Sequence, residues 1–235
     1  MYLEVSTNGY ASQYGVPKRI DAHLYETIPA TDFRKKCFVD PSLDGMSAAD
    51  RTAALAAYTD YPELIDQAVD ASTAKTYGCL SLKFRAAGGE AGRTNGYLGM
   101  CGAVPIMRVE EMYLIEAEAT AHYDATTGKS LLQSFMANRD PAYTVPAAND
   151  LIDEIIFQKR IEFWGEGVIF YDLKRLNIGM HNGDTGTNAP PMAQLSTDGR
   201  APWWNCVFPL NAVQQNKALA GKNNPNPTQT VKSVK

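Results

Sequence analysis

Two stretches constrain what this chain can fold into more than any others. From Ile106 to Tyr123 (IMRVEEMYLIEAEATAHY), apolar residues recur at helical spacing. One stripe runs Ile106, Val109, Tyr113, Ala117, Ala121, and a second runs Met107, Leu114, Ala121. The second stretch runs from Asp150 to Trp164, with Ile152, Ile156 and Phe163 on one face and Phe157, Ile161 and Trp164 on another. Asp150 is a good N-cap, and Gly165 and Gly167 mark the end. Two apolar stripes with glutamates between them predict helices packed on more than one side. The small Ala117, Ala119 and Ala121 allow close helix approach. A shorter helix is expected from Leu131 to Arg139, stopped at Asp140-Pro141. The fold class that follows is mainly α, with a loop-rich region and a few short strands.

The flanks differ in texture. Residues 1–105 read as a loop-rich, aromatic ligand-side region, and residues 106–235 as the helical region, together one composite domain. Within the first, Ser47 to Tyr58 predicts a short helix capped by Ser47. Ala30-Thr31-Asp32 into Phe33-Arg34-Lys35-Lys36 predicts a helical turn. Leu80, Leu82 and Phe84 alternate with Ser81, Lys83 and Arg85, which predicts a strand over 79–85. The glycine-rich stretch 86–102 lacks the G-K-[ST] ending of a phosphate loop and reads as a surface loop. After Arg175 the chain returns to loop. Residues 181–191 carry no periodicity, Cys206-Val207-Phe208 reads as a short buried strand, and Asn211 to Leu219 reads as a last helix. The tail from Asn223 onward is polar, proline-broken and extended.

Composition excludes several function classes. A chain of 235 residues, 45% hydrophobic and 20% charged, is globular and long enough for one large domain or two small ones. With 26 acidic against 22 basic residues the net charge is −4, so bulk charge does not favour nucleic acid. No run reaches the about eighteen apolar residues of a membrane span, and Met1 to Val5 does not read as a secretion signal. Cys37, Cys79, Cys101 and Cys206 are far apart, as are His23, His122 and His181, which argues against zinc. Buried thiols, or one disulfide after export, are the readings left for the cysteines. No cofactor is expected. Asn182, Asp184 and Asn188 offer oxygens to calcium, but the twelve-residue calcium-loop pattern is not met.

The most enzyme-like group is Glu162, Glu166 and Asp172 beside Lys159, Arg160, Lys174 and Arg175. Two carboxylates can make a glycosidase pair, but such pairs normally flank a cleft from different elements. Glu162 and Glu166 lie four apart on one helix face, so an ion-pair network at a helix end is the favoured reading. Aromatic residues in turn-like sequence remain: Tyr10, Tyr14, Tyr58, Tyr61, Tyr77, Tyr97, Trp203 and Trp204. Aromatic faces stack on the apolar C–H faces of sugars at little conformational cost. Packing under loops is the alternative for each.

At this point the residues resemble a family. Arg108–Ala119 (RVEEMYLIEAEA) resembles the R-x-x-E-x-Y-L-x-x-A-E-A helix of SusD/RagB-like outer-membrane nutrient-binding lipoproteins. Ile155–Arg175 resembles that family's I-x-x-E-R-x-x-E-x-x-x-E-G-x-R-x-x-D-L-K-R segment, with Gln158-Lys159 in place of Glu-Arg and Val168 in place of Arg. Asn138-Arg139-Asp140-Pro141 fits between the blocks. Phe208-Pro209, Asn216 and Asn223-Asn224-Pro225 are similar to the closing stretch, and Ile20–Tyr25 with Ala30–Lys35 to an upstream L-Y … D-x-R segment.

The resemblance implies a scaffold of tetratricopeptide-like helix pairs, 106–123 with 150–164 being one, beside a loop-rich glycan site. It implies a non-catalytic glycan-binding protein at the cell surface, on the outer membrane. The partner would be a SusC-like TonB-dependent transporter, some members delivering peptides instead. The family's chains are about twice as long, so this sequence is expected to match the C-terminal half, without the lipid anchor. Apolar stripes such as Met107/Leu114 are then expected to be exposed. The residues favoured for stacking on sugar are Tyr58, Tyr61 and Tyr77, followed by Trp203 and Trp204. The alternatives are a module that only contacts the transporter, and a glycoside hydrolase using Glu162 and Glu166.

Overall fold

A computed structural model of the chain describes residues 18–47, 50, 54, 78–84, 105–147 and 150–224. Among them are six α-helices: α1 (Ala22–Thr27), α2 (Val109–Ala121), α3 (Ala125–Met136), α4 (Leu151–Glu162), α5 (Ile169–Arg175) and α6 (Leu210–Gln215). Among the described residues, extended pairing is confined to isolated bridges. The fold is mainly helical, as the periodicity predicts. The chain separates into two compact units, Met1–Glu166 and Gly167–Lys235. The line drawn from texture at 105/106 marks something else, the change from loop-rich to helical sequence.

The first unit is built on α2, α3 and α4, each packed on the other two. The hairpin partner of α2 is α3, not the 150–164 segment that the resemblance paired with it. Only three residues, 122–124, join α2 to α3, and so short a link makes them neighbours. The sequence reading started α3 six residues late because Thr126, Thr127 and Gly128 are poor helix formers. Asp124 offsets this by accepting from the N–H groups of Thr126 and Thr127, both at 3.1 Å. Gly128 is required by the packing: a Cβ there would lie 2.7 Å from the Ala121 backbone.

Of the two stripes read on the 106–123 helix, parts of each are buried. Leu114, Ala117, Glu118 and Thr120 face the core. Ile106, Met107, Val109, Met112, Tyr113 and Ile115 are exposed. Met107 is exposed as expected, but Leu114 is fully buried. Helix α4 begins at its Asp150 cap, which accepts from Ile152 N at 2.8 Å. It buries Ile155, Ile156 and Ile161.

A second cluster lies over the other side of α4. Ile20, Leu24, Tyr25, Ile28, Phe38, Cys79 and Ile161 pack together, with Phe157 and Trp164 against them. Residues 79–82 run between two short extended segments. Ile20 N donates to Cys79 O at 2.9 Å on one side, and Leu82 N to Cys37 O at 2.7 Å on the other. Here the predicted strand is reduced to the bridges Arg19 with Leu80 and Phe38 with Ser81. Both faces of the segment are buried, Ser81 as fully as Leu80. Over 79–82 the alternation that suggested a strand therefore does not separate a buried face from an exposed one. The turn at 32–37 forms as expected, as a 3-10 helix over Phe33–Cys37 capped by Asp32. Ser47 Oγ accepts from Asp50 N and donates to the Asp50 carboxylate, the cap predicted there.

In the second unit, Cys206, Val207 and Phe208 are not a buried strand; all three are exposed. Side-chain amides hold this segment instead. Asn223 accepts from Phe208 N at 2.8 Å and donates to Phe208 O, and Asn224 donates to Cys206 O at 2.6 Å. The predicted last helix divides into α6 and a 3-10 turn, Lys217–Leu219. Asn216 leaves helical geometry between them and caps the turn through Ala218 N. Cys37, Cys79 and Cys206 are free thiols. Burial pushes the Cys79 thiol up to about 11 and raises that of Cys37. No helix among the described residues is long and apolar enough to cross a membrane.

Candidate functional site

Two constellations hold the residues that the sequence singled out. The first is a buried charge network around the end of α4. Glu162 accepts from Arg34 and Arg139 at 3.4 Å and from Arg108 at 3.3 Å. Glu166 receives a two-pronged bond from Arg108, 2.9 Å on each oxygen, and a bond from Lys83. Lys83 and Arg108 also donate to the Glu162 carbonyl at 2.7 and 3.1 Å, closing the carbonyl end of α4 where cations are favoured. Gly165 turns the chain there at φ +77°, with Phe84 packed where a Cβ would sit.

The network continues inward. Arg34, almost wholly buried, pairs with Asp32 at 2.6 Å and donates to Gln158 at 2.6 Å. Gln158 and Tyr143 both donate to Glu154 at 2.8 Å. Burial and that carboxylate together raise the Tyr143 phenol well above its ordinary value. Lys159 pairs with Glu118 of α2 at 2.7 Å.

These contacts settle which charges belong together. The ion-pair network read from the sequence is present, but its cations are not the neighbours Lys159, Arg160, Lys174 and Arg175. They are Arg34, Lys83, Arg108 and Arg139, brought from distant segments. Asp172 instead pairs locally with Arg175 at 2.7 Å. Burial pushes the Glu162 carboxyl up, but the Arg139 hydrogen bond and the charges of Arg139, Arg34 and Arg108 outweigh it and leave it below the usual carboxylate range. Glu166 is likewise lowered, its burial outweighed by Arg108 and Lys83. A general acid must hold a proton at working pH, and this environment favours the opposite.

The second constellation is an aromatic platform in the unit after Gly167. Helix α5 carries Phe170 and Tyr171, and the 3-10 turn Pro202–Trp204 carries both tryptophans. The Phe170 ring meets Trp204 edge to face, centroids 5.5 Å apart, and meets Tyr171 in the same way at 5.7 Å. Lys174 ties the turn to the helix by donating to Trp204 O at 3.2 Å, with its ammonium 5.9 Å from the Phe170 ring centre. Tyr171 is 70% exposed, and Trp203 and Trp204 are half-buried.

Of the predicted stacking residues, the structure thus places Trp203 and Trp204 together on this turn. Tyr58, Tyr61 and Tyr77 lie outside the described residues, as do Tyr10, Tyr14 and Tyr97. Phe170 and Tyr171 were missed because they sit inside the charged helical block, where the charges drew the reading. Asp184 is engaged by Ser196, which donates to it at 3.4 Å, with His181 3.7 Å away. Among the described residues no group of three His, Cys, Asp or Glu is placed to hold a metal.

Leu114, Ala117, Glu118 and Glu162 of the motif blocks are thus buried in a helical scaffold, and an aromatic surface stands on a separate unit. The SusD family model matches residues 57–225, more than two-thirds of the chain. The chain belongs to the SusD family. Comparison with curated proteins and with solved structures returned no match. The match begins at residue 57, so the likeness read at Ile20–Lys35 lies outside it. SusD-family proteins are generally non-catalytic binding proteins, typically surface lipoproteins of the outer membrane. Membership supports a glycan-binding role in nutrient uptake in general.

Proposed function

We propose that this chain binds oligo- or polysaccharide without catalysis, for delivery to a SusC-like TonB-dependent transporter at the outer membrane. The observation that carries the reading is the platform of Tyr171, Phe170, Trp203 and Trp204. The exposed Tyr171 ring and the partly exposed Phe170 and Trp204 rings, in edge-to-face contact through Phe170 and with Lys174 bonded to the Trp204 carbonyl, suit the C–H face of a sugar ring. Tyr58, Tyr61 and Tyr77 belong to the same proposal, as further stacking residues on the sequence evidence alone. Surface association as a lipoprotein and a tetratricopeptide-like role for the helices also belong to it. No cofactor enters this reading.

Affinity gels carrying a range of polysaccharides test it. Retardation by at least one, lost in Tyr171→Ala and Trp204→Ala proteins that melt like the parent, is the expected result. Retardation by none contradicts it. The exposed apolar stripe of α2 favours a second reading, a module whose surface serves only a protein contact. A hydrolase built on Glu162 and Glu166 is disfavoured by the four cations that engage them.

A further inference from the structure

A groove of about 360 Å³ lies at the open end of the α2–α3 hairpin, within the first unit. Tyr113 and Glu116 line it from α2, and Leu131, Ser134 and Phe135 from α3, with Asn138 and Arg139 closing its end. Tyr113 and Glu116 are three apart, so they share a helix face and flank the same opening. Phe135 is buried beneath, and the Arg139 guanidinium lies over its ring, 4.0 Å from the ring centre. Tyr113 as a whole is 54% exposed.

Three features limit what fits. The volume is at the small end for ligand pockets, enough for one or two rings. Arg139 already has carboxylate partners, Glu162 at 3.4 Å and Glu110 at 3.8 Å, so the groove does not demand an anion. The exposed side chains of Glu116, Ser134 and Asn138 make no hydrogen bond or ion pair among the described residues. An apolar helix laid over them would strip these groups of water and return nothing. A ligand with several hydroxyls would return a bond to each.

We propose that this groove is a second saccharide subsite, taking a neutral sugar ring. Tyr113 stacks on its C–H face, while Glu116 accepts from its hydroxyls and Ser134 and Asn138 donate and accept around it. The inference rests on the glycan reading above but concerns different residues on a different unit.

The test is an amide-shift titration of the whole chain with maltohexaose, cellohexaose and xylohexaose, with tri-alanine as the non-saccharide probe. The expected result is that at least one hexasaccharide shifts amides of residues 113–116 and 134–139. Tyr113→Ala should weaken that response about tenfold, and Tyr113→Phe should stay within about twofold of the parent. Saccharide shifts confined to residues 170–204 and indifferent to Tyr113→Ala overturn the groove and leave the glycan reading standing. No saccharide shift anywhere overturns both. Groove shifts from tri-alanine alone overturn the saccharide assignment.

Discussion

Glu162 carries the clearest consequence at the scale of single residues. It is buried among Arg34, Arg108 and Arg139. Removing its charge leaves three guanidinium groups facing a neutral amide, the case in which breaking a buried pair costs about 3–5 kcal/mol. Glu162→Gln should therefore lower stability by an amount of that order in urea denaturation. The sign with pH follows. The folded carboxyls of Glu162 and Glu166 lie below the ordinary value of 4.5. Their contribution is present above that value and is lost as pH falls through the folded values. The melting temperature should be flat near neutrality and fall below about pH 4.5, and Glu162→Gln should show a shallower acid limb.

Thiol chemistry gives an independent check at the same scale. Cys37 and Cys79 are held protonated by burial, whereas Cys206 is exposed. Alkylation read by peptide mass spectrometry should label Cys206 quickly, and Cys37 and Cys79 only after denaturation. These residues also show how far sequence reads. Glu162 and Glu166 were legible as members of an ion-pair network, but not through the shared helix face that their spacing implied: α4 ends at Glu162, and Glu166 lies beyond the Gly165 turn. Their partners were not legible, because Arg34, Lys83, Arg108 and Arg139 are set by tertiary approach and no local pattern links them to 162.

Elements divide in the same way. Helices α2 and α4 were legible because their stripes and caps are strong and local. The first turn of α3 was not, since Ala-Thr-Thr-Gly has weak propensity and forms against α2. Gly128 is the test. Alanine improves propensity by about 1 kcal/mol, but its Cβ must enter space held by the Ala121 backbone. Overpacking of that kind costs about 1–3 kcal/mol. Gly128→Ala should thus melt at a lower temperature than the parent; a higher one would mean that the hairpin opens freely. The misread strand at 206–208 has a related cause: its partners are the side-chain amides of Asn223 and Asn224, which hydrophobic patterning does not register. The aromatic platform was half legible. The Trp203-Trp204 pair stands out in a loop, but Phe170 and Tyr171 gain their meaning only when α5 meets the turn.

At the scale of the whole molecule, the account separates two kinds of residue. Within the family-like blocks, Arg108, Glu118, Lys159, Glu162 and Glu166 make the ion pairs that, with Arg34, hold α2, α4 and the 32–37 turn together. The platform aromatics Phe170, Tyr171, Trp203 and Trp204, at least partly exposed on the unit after Gly167, are the ones proposed to meet a ligand there. A change in the first group should alter stability, and a change in the second should alter binding with the fold intact.

The most direct measurement of that claim is calorimetric titration of the parent chain, Tyr171→Ala and Trp204→Ala with a soluble oligosaccharide from the best-retained polysaccharide, each protein's melting temperature being recorded alongside. The account predicts saccharide binding by the parent, weakened about tenfold or more in both variants at unchanged melting temperature. Undiminished binding in both would contradict it and move the glycan site away from the platform.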